Sequence, residues 1–187
     1  MRVISILGSA RMSGNTATVL GWIEDKLREG GHEVERINVV DYEMSGCTGC
    51  NTCKLEAHEP GCIIDDDVDM LLKKMIDAEL ALFATPLYCW GFTSQLKTLI
   101  DRCYSLKKPG EDGGFSLVAG MRIALLVTCA GPFEGNADAL EMPFERIAKF
   151  TQTEVAGKLF LTGCTKPEEL GADKREQAET FAAKISS

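Results

Sequence analysis

The sequence predicts a doubly wound α/β domain, with a five-stranded parallel sheet and helices on both faces. Three observations carry this. Short apolar runs alternate with amphipathic helical segments, strand then helix, along the whole chain. That alternation implies a parallel sheet. The apolar runs end in segments rich in Gly, Ser, Pro and Cys, as expected of strand ends that face a ligand. The 187 residues are 45% hydrophobic and 26% charged, an ordinary globular balance in a chain long enough for one domain over residues 1–187.

Arg2 to Leu7 is a β-branched, apolar run ending at Gly8, which reads as a buried strand. Thr16 to Glu29 places Val19, Ile23 and Leu27 at helical spacing, and Gly30 and Gly31 stop the helix. Glu33 to Val39 alternates as a second strand. Met44 to Ile64 is a long cysteine-rich loop. Asp65, Asp66 and Asp67 suit a helix N-terminus, as caps and as charges at the positive dipole end. Val68, Leu71, Leu72, Met75 and Ile76 then form an apolar helical face. Glu79 to Ala84 is a third strand. Phe92, Leu96, Leu99, Ile100 and Cys103 mark a third helix. Lys107 to Gly120, rich in glycine and charge, reads as a loop. Met121 to Thr128 is a fourth strand. A helix follows between Asn136 and Thr151, started or kinked by Pro143. Val155 to Leu161 is the fifth strand, and Asp173 to Ile185 the last helix. The layering expected is three-layer and flavodoxin-like.

There are 20 Lys+Arg against 28 Asp+Glu, a net charge of -8. So acidic a surface repels phosphate backbones and argues against nucleic acid as a partner. No basic run suggests a membrane-surface patch, and no apolar run approaches transmembrane length. The apolar N-terminal stretch is too short for a signal peptide. A cytoplasmic location is therefore expected. The eight cysteines are then expected to be thiols, metal ligands or redox groups rather than structural disulfides.

The loop after the first strand reads GSARMSGNT, Gly8 to Thr16. It opens directly into a helix, whose free N–H groups and dipole favour an anion. Ser9, Ser13, Asn15 and Thr16 add donors, Arg11 adds charge, and Gly14 lets the chain turn. Established phosphate motifs fail on spacing. A P-loop needs four residues between its glycines and then Lys-Ser/Thr, whereas five separate Gly8 from Gly14 and Asn15-Thr16 follow. The dinucleotide fingerprint is absent. A cysteine phosphatase would need Cys where Ser5 stands, and a phosphoacceptor domain would need Asp where Thr85 stands. A monophosphate cradle remains, with a plain helix-capping turn as the alternative.

The loop after the third strand reads TPLYCWGFTSQLK, Thr85 to Lys97. Pro86 ends the strand and Gly91 permits a close turn. Tyr88 and Trp90 bring aromatic surface to the rim where a planar ligand would lie, although packing over the next helix would also use them.

Four segments together, GSARMSGNT, the cysteine loop, CIIDDDVDML and ATPLYCWGFTSQLKTLIDR, resemble the flavodoxin-like NADPH-dependent FMN reductase family. Within it the chain is most similar to the iron-sulfur flavoprotein branch. The resemblance implies FMN with its phosphate in the Ser9–Thr16 loop. It implies a flavin ring against Pro86, Leu87, Tyr88, Trp90 and Gly91. The loop beginning Thr128-Cys129-Ala130-Gly131 is expected to close over the same site. It also implies a homodimer or homotetramer, with NAD(P)H as transient donor.

Cys47, Cys50, Cys53 and Cys62 follow C-x2-C-x2-C-x8-C. Three cysteines at this interval can wrap one face of a [4Fe–4S] cluster while a distant fourth closes it. Gly46 and Gly49 let backbone amides approach the sulfurs. Zinc prefers two separated pairs. A loop of reduced thiols is the alternative, and the last gap is wider than is usual in the iron-sulfur branch. Cys89, Cys103, Cys129 and Cys164 are scattered; Cys103 faces a helix core by periodicity, and Cys89 and Cys129 are placed where they could lie near the flavin, although buried small hydrophobes are the expected role. Asp101 and Arg102 read as a helix-end pair, His32 as surface before an edge strand, and His58, within the cysteine loop, as a ligand candidate that four nearby thiols make redundant. No catalytic residue is assigned, because flavin chemistry needs position and electrostatics more than an acid–base pair. The expected activity is electron transfer between NAD(P)H, or a reduced carrier, and a small-molecule or protein acceptor. A cluster-free FMN or quinone reductase and a non-catalytic flavodoxin-like carrier are the alternatives.

Overall fold

Five parallel strands form the central sheet, in the order β2 (Glu33–Asn38), β1 (Arg2–Leu7), β3 (Leu80–Pro86), β6 (Arg122–Thr128) and β7 (Glu154–Leu161). The structure, a computed structural model, describes residues 1–187. In chain order the elements are β1 (Arg2–Leu7), α1 (Asn15–Glu29), β2 (Glu33–Asn38), α2 (Val68–Ile76), β3 (Leu80–Pro86) and α3 (Ser94–Arg102). They continue with β4 (Lys107–Lys108), β5 (Phe115–Ser116), β6 (Arg122–Thr128), α4 (Glu141–Thr151), β7 (Glu154–Leu161) and α5 (Ala172–Ser186). The strand order reverses between β1 and β3, and that switch point is where open α/β sheets bind ligands. The fold is the doubly wound, flavodoxin-like sheet that the alternation predicts.

The central strands are apolar on both sides because helices cover both faces. One apolar layer joins α1 and α5 to the sheet through Leu20, Ile23, Leu27, Phe181 and Ile185. The other joins α2, α3 and α4 through Leu71, Leu72, Leu96, Leu99 and Phe144. Each fully buried Leu or Ile contributes about 1.5–3 kcal/mol. Exposed pairs such as Lys26–Glu29 contribute about 0–1 kcal/mol. The two apolar layers therefore dominate the fold. No helix is long and apolar enough to cross a membrane.

Several expectations need correction. Residues 107–120 are not only loop: β4 and β5 pair as a short antiparallel hairpin, Lys107 with Ser116 and Lys108 with Phe115. Its strands of two residues are too short to leave a periodic signal. The hairpin needs Gly114, whose φ is +78° and where a Cβ would lie 2.0 Å from the Lys108 carbonyl oxygen. Phe92 precedes α3 rather than lying in it, because Thr93 caps the helix by accepting from the Leu96 N–H at 3.3 Å. Asp101 and Arg102 do not pair with each other. Lys97 takes Asp101 one helical turn away, and Arg102 turns inward to Asp66. Pro143 does sit in the first turn of α4, where its missing N–H has no helical partner to lose.

Candidate functional site

The strand ends place three loops around one cavity of about 230 Å3. Ser9, Arg11, Gly14, Asn15 and Thr16 line it from the β1–α1 loop. Pro86, Leu87 and Tyr88 line it from the β3–α3 loop, and Thr128, Cys129 and Ala130 from the end of β6. The segment after β7 adds Cys164, Thr165 and Pro167, which no sequence motif singles out. Their signal was their position after a strand's C-terminal end, where doubly wound sheets bind ligands.

The β1–α1 loop suits an anion for reasons visible in its hydrogen bonds. Ser9 Oγ accepts from the Arg11 N–H at 3.1 Å and fixes the turn. Gly14 is the N-cap of α1, no side chain caps the helix, and its first turn holds no acidic residue. The leading N–H groups of a helix of 15 residues are thus open to a ligand at the positive end of the dipole. Thr16 Oγ1 and Thr128 Oγ1 meet at 2.7 Å in the buried floor and tie the loop to β6. Asn15 Oδ1 is buried without a partner, an acceptor that a hydroxyl-bearing ligand would satisfy. Ser13 is exposed and lies off this cavity.

The β3–α3 loop folds back as a tight turn. Gly91 donates to the Tyr88 carbonyl at 2.9 Å, and Tyr88 donates to the Gly91 carbonyl at 3.2 Å. The turn forces Cys89 and Trp90 to φ of +46° and +57°, the left-handed region that favours glycine. Strain of this kind costs about 1–3 kcal/mol per residue and collects at functional loops. Cys89 is exposed at the tip of this turn, which corrects the expectation that it is buried. Tyr88 and Trp90 stand 46% and 65% exposed, an open aromatic surface beside the anion loop. Cys89→Gly is expected to raise the stability of the ligand-free protein by about 1 kcal/mol. Chemical denaturation measures this, and an unchanged or lower midpoint would show that the turn is unstrained. Trp90 and Gly91 line a second cavity of about 540 Å3 between α3 and α4, with Tyr104 and Phe150 on its walls.

The cysteine loop is closed at its base and ordered by charge. The Asp66 carboxylate accepts from the Ser45 N–H at 2.8 Å and the Val68 N–H at 3.1 Å. Asp67 accepts from the Glu43 N–H at 2.7 Å, and Glu43 returns its carbonyl to the Asp67 N–H. The expected aspartate capping therefore becomes a clasp across the two ends of the loop. Arg102 on α3 completes it, donating to both Asp66 oxygens and to the Ser45 carbonyl. Burial opposes ionisation of Asp66, but the hydrogen bonds from Arg102, Ser45 and Val68 outweigh it and hold the carboxyl below its ordinary range. Lys108 on β4 donates to the carbonyls of Cys53 and Pro60 at 2.9 and 3.1 Å, tying the two halves of the loop together.

All eight cysteines are free thiols. Cys47 and Cys50 are exposed, Cys62 is half-buried and Cys53 is buried. Burial pushes the Cys53 thiol up, opposed by Lys54 and Lys108, and the charges of Cys62 and Cys47 are near enough to be felt. Cys50 lies apart, where the Thr52 hydroxyl and N–H and the Thr48 hydroxyl draw its thiol below the ordinary value. No three Cys, His, Asp or Glu side chains converge at ligating distance on one point. Cys103 is fully enclosed in the core, and burial pushes its thiol up to about 12. Cys129 and Cys164 are also buried and raised by burial.

A doubly wound sheet with an uncapped helix N-terminus and exposed aromatics at its switch point defines a mononucleotide-binding class of fold. The chain belongs to the NADPH-dependent FMN reductase family, which residues 1–144 match. It is 42% identical over 107 residues to an iron-sulfur flavoprotein of Methanocaldococcus jannaschii, covering 57% of this chain and 54% of that one. It is 34% identical over 102 residues to an iron-sulfur flavoprotein of Archaeoglobus fulgidus, covering 54% and 45%. The chain thus spans about half the length of the curated relatives it matches. The crystal structure of an azoreductase from Bacillus anthracis superposes with a TM-score of 0.75 at 18% identity, over 97% of this chain and 98% of that one, and shares the fold.

Proposed function

We propose that this protein is an FMN-binding oxidoreductase that moves electrons between NAD(P)H, or a reduced carrier, and an acceptor. The observation that carries the reading is the uncapped α1 N-terminus beside Arg11, facing a cavity whose buried Asn15 Oδ1 lacks a donor. A phosphate and a polyol would meet those needs. In this reading the phosphate lies on the Asn15 and Thr16 N–H groups at the start of α1, with Ser9 and Arg11 around it, while Ser13 stays outside the cavity and the Gly14 N–H closes the turn on the Arg11 carbonyl. The flavin ring lies against Pro86, Leu87 and the Tyr88–Gly91 turn. FMN, when bound, supplies the redox chemistry by accepting hydride and releasing electrons. The chain's share is to hold the phosphate, keep the ring at the strained turn and cover it with aromatic surface.

Cys47, Cys50, Cys53 and Cys62 are the proposed ligands of a [4Fe–4S] cluster, which carries single electrons. Two observations support the fit: four thiols share one clasped loop, and the buried cations Lys108 and Arg102 flank it to balance a net negative centre. The names of the relatives in Methanocaldococcus and Archaeoglobus point the same way. Ligation requires Cys47 and Cys50 to fold inward. The open apolar surface of Trp90, Tyr104 and Phe150 supports self-association as a homodimer or homotetramer.

Turnover tests the activity. FMN-loaded protein with NADPH or NADH and a quinone under argon is expected to oxidise the nucleotide catalytically. Tight FMN binding without turnover by either nucleotide would replace the enzyme reading with a flavodoxin-like carrier.

A further inference from the structure

Two buried thiols share the wall of the proposed FMN cavity. Cys129 follows β6, Cys164 follows β7, and both line that cavity. They are 7% and 6% exposed. The backbone brings them together. β6 and β7 pair in parallel as far as Thr128 and Leu161. Beyond that register the Cys129 N–H donates to the Leu161 carbonyl at 3.0 Å. Gly163 then turns the chain back at a φ of +65°, a left-handed value that glycine adopts without steric cost. The Cys164 N–H thereby reaches the Cys129 carbonyl at 2.9 Å. Bond lengths keep the two α-carbons within about 6.8 Å even if every bond lay in line, inside the span that a disulfide bridges.

Both sulfurs are held as thiols. Cys129 donates to the Gly131 carbonyl at 3.3 Å. Cys164 donates to the Leu161 carbonyl at 3.4 Å and to the Thr162 carbonyl at 3.6 Å. Burial raises both thiols, and the Cys129 sulfur is near enough for its charge to be felt at Cys164. The thiolate is the reactive form, so the pair resists oxidation until an oxidant enters the cavity. Cys103, in contrast, is enclosed in the apolar core, where no small molecule reaches it.

We propose that Cys129 and Cys164 form a redox pair in the wall of this cavity: a small-molecule disulfide converts them to a Cys129–Cys164 disulfide while the cavity is empty, and the bridge weakens FMN binding. The consequence for FMN rests on the FMN reading above; the bridge itself does not. The step is thiol–disulfide exchange. One protein thiolate attacks the small disulfide, breaks its S–S bond and releases one thiol. The second protein sulfur then displaces the other thiol from the mixed disulfide and closes the bridge. Two electrons pass from the protein thiols to the small disulfide, and both protons leave on the two released thiols. Bridging takes the Cys129 donor from the Gly131 carbonyl and loosens the loop that lines the cavity after β6. FMN in the cavity covers both sulfurs and slows the reaction.

The test treats FMN-loaded protein, and the same protein stripped of FMN, with excess oxidised glutathione under argon. Peptide mass spectrometry maps the bridges. Fluorescence titration gives FMN affinity before treatment, after it and again after reduction. A Cys129–Cys164 bridge is expected in the stripped protein and is expected to form more slowly in the loaded one. The bridged protein is expected to bind FMN about 2- to 10-fold more weakly, the worth of a lost hydrogen bond, and to recover on reduction. The double variant Cys129→Ala with Cys164→Ala is expected to show one FMN affinity with and without oxidant, although its exposed Cys47, Cys50 and Cys89 still oxidise. If those exposed thiols oxidise in wild type while Cys129 and Cys164 stay reduced, the redox pair is overturned. A bridge that leaves FMN affinity unchanged overturns its control of the cofactor. If the bridge forms but the protein takes up no FMN in either state, the FMN reading falls and the redox pair stands. If the double variant does not fold, the mapped bridge and the recovery on reduction in wild type decide.

Discussion

Gly14→Asp is expected to stabilise the ligand-free protein and abolish tight FMN binding. Gly14 caps α1 with φ near -80°, a value any residue adopts. Aspartate is among the best N-caps, so the helix should gain a few tenths of a kcal/mol over glycine from the cap itself and about 0.3–1 kcal/mol from a negative charge at the positive end of the dipole. The same carboxylate would occupy the N–H groups proposed for the phosphate and repel its charge. Hydrogen bonds to a charged group contribute about 1.5–3 kcal/mol each. Loss of one of them weakens binding by about 10-fold to 100-fold, and loss of two by about 100-fold or more. A Cβ at residue 14 would meet Arg11 Cβ at 3.1 Å and the Arg11 carbonyl oxygen at 3.4 Å, a tight contact that the Arg11–Gly14 turn must relieve by a small shift and that offsets part of the capping gain. Flavin fluorescence titration and thermal melting of the apoprotein read the two effects separately. Unchanged FMN affinity would remove the phosphate from this loop. A drop in both quantities would mean that the variant damages the fold.

The second large effect is expected from Asp66→Asn. Asp66 and Arg102 are buried together, and their side chains are 5% and 1% exposed. Exposed ion pairs contribute little, but removing one partner of a buried pair leaves the other charge uncompensated, at a cost of about 3–5 kcal/mol. The loss also frees the Ser45 N–H and opens the base of the cysteine loop. The pH dependence has a definite sign. Asp66 has a depressed pKa in the folded protein, so its stabilisation is complete above the ordinary aspartate pKa of about 3.9. It is lost as pH falls below that value and passes through the lower, folded-state pKa. The difference between wild type and Asp66→Asn in urea midpoints should be full at neutral pH and shrink below about pH 4. A constant difference down to strong acid would show that the pair does not titrate with folding.

The sheet was legible because β1, β3 and β6 are buried on both faces and leave long apolar runs. The anion loop was legible because residues 8–16 are continuous in sequence and open a strong helix. The parts that were not legible depend on residues far apart. Asp66 and Arg102 are separated by 36 positions, and nothing local distinguishes an inward arginine from a surface one at a helix end. Lys108 lies 55 residues from Cys53, on a strand of only two residues. Cys89 was expected inside because cysteine is usually buried, yet the turn from Tyr88 to Gly91 pushes it outward. Local pattern thus revealed the strand ends and the proposed ligand loops. The cations that organise the cysteine loop became visible only through tertiary contacts.

The most direct measurement is the visible absorption spectrum of protein purified without oxygen, with iron and acid-labile sulfide assayed on the same sample. Flavin bands with a broad brown shoulder, and about four iron and four sulfide per chain, are expected. Flavin bands alone, persisting after anaerobic reconstitution with iron and sulfide, would contradict the cluster and leave a flavin reductase. Protein that binds no flavin, even when FMN is supplied, would contradict the central claim.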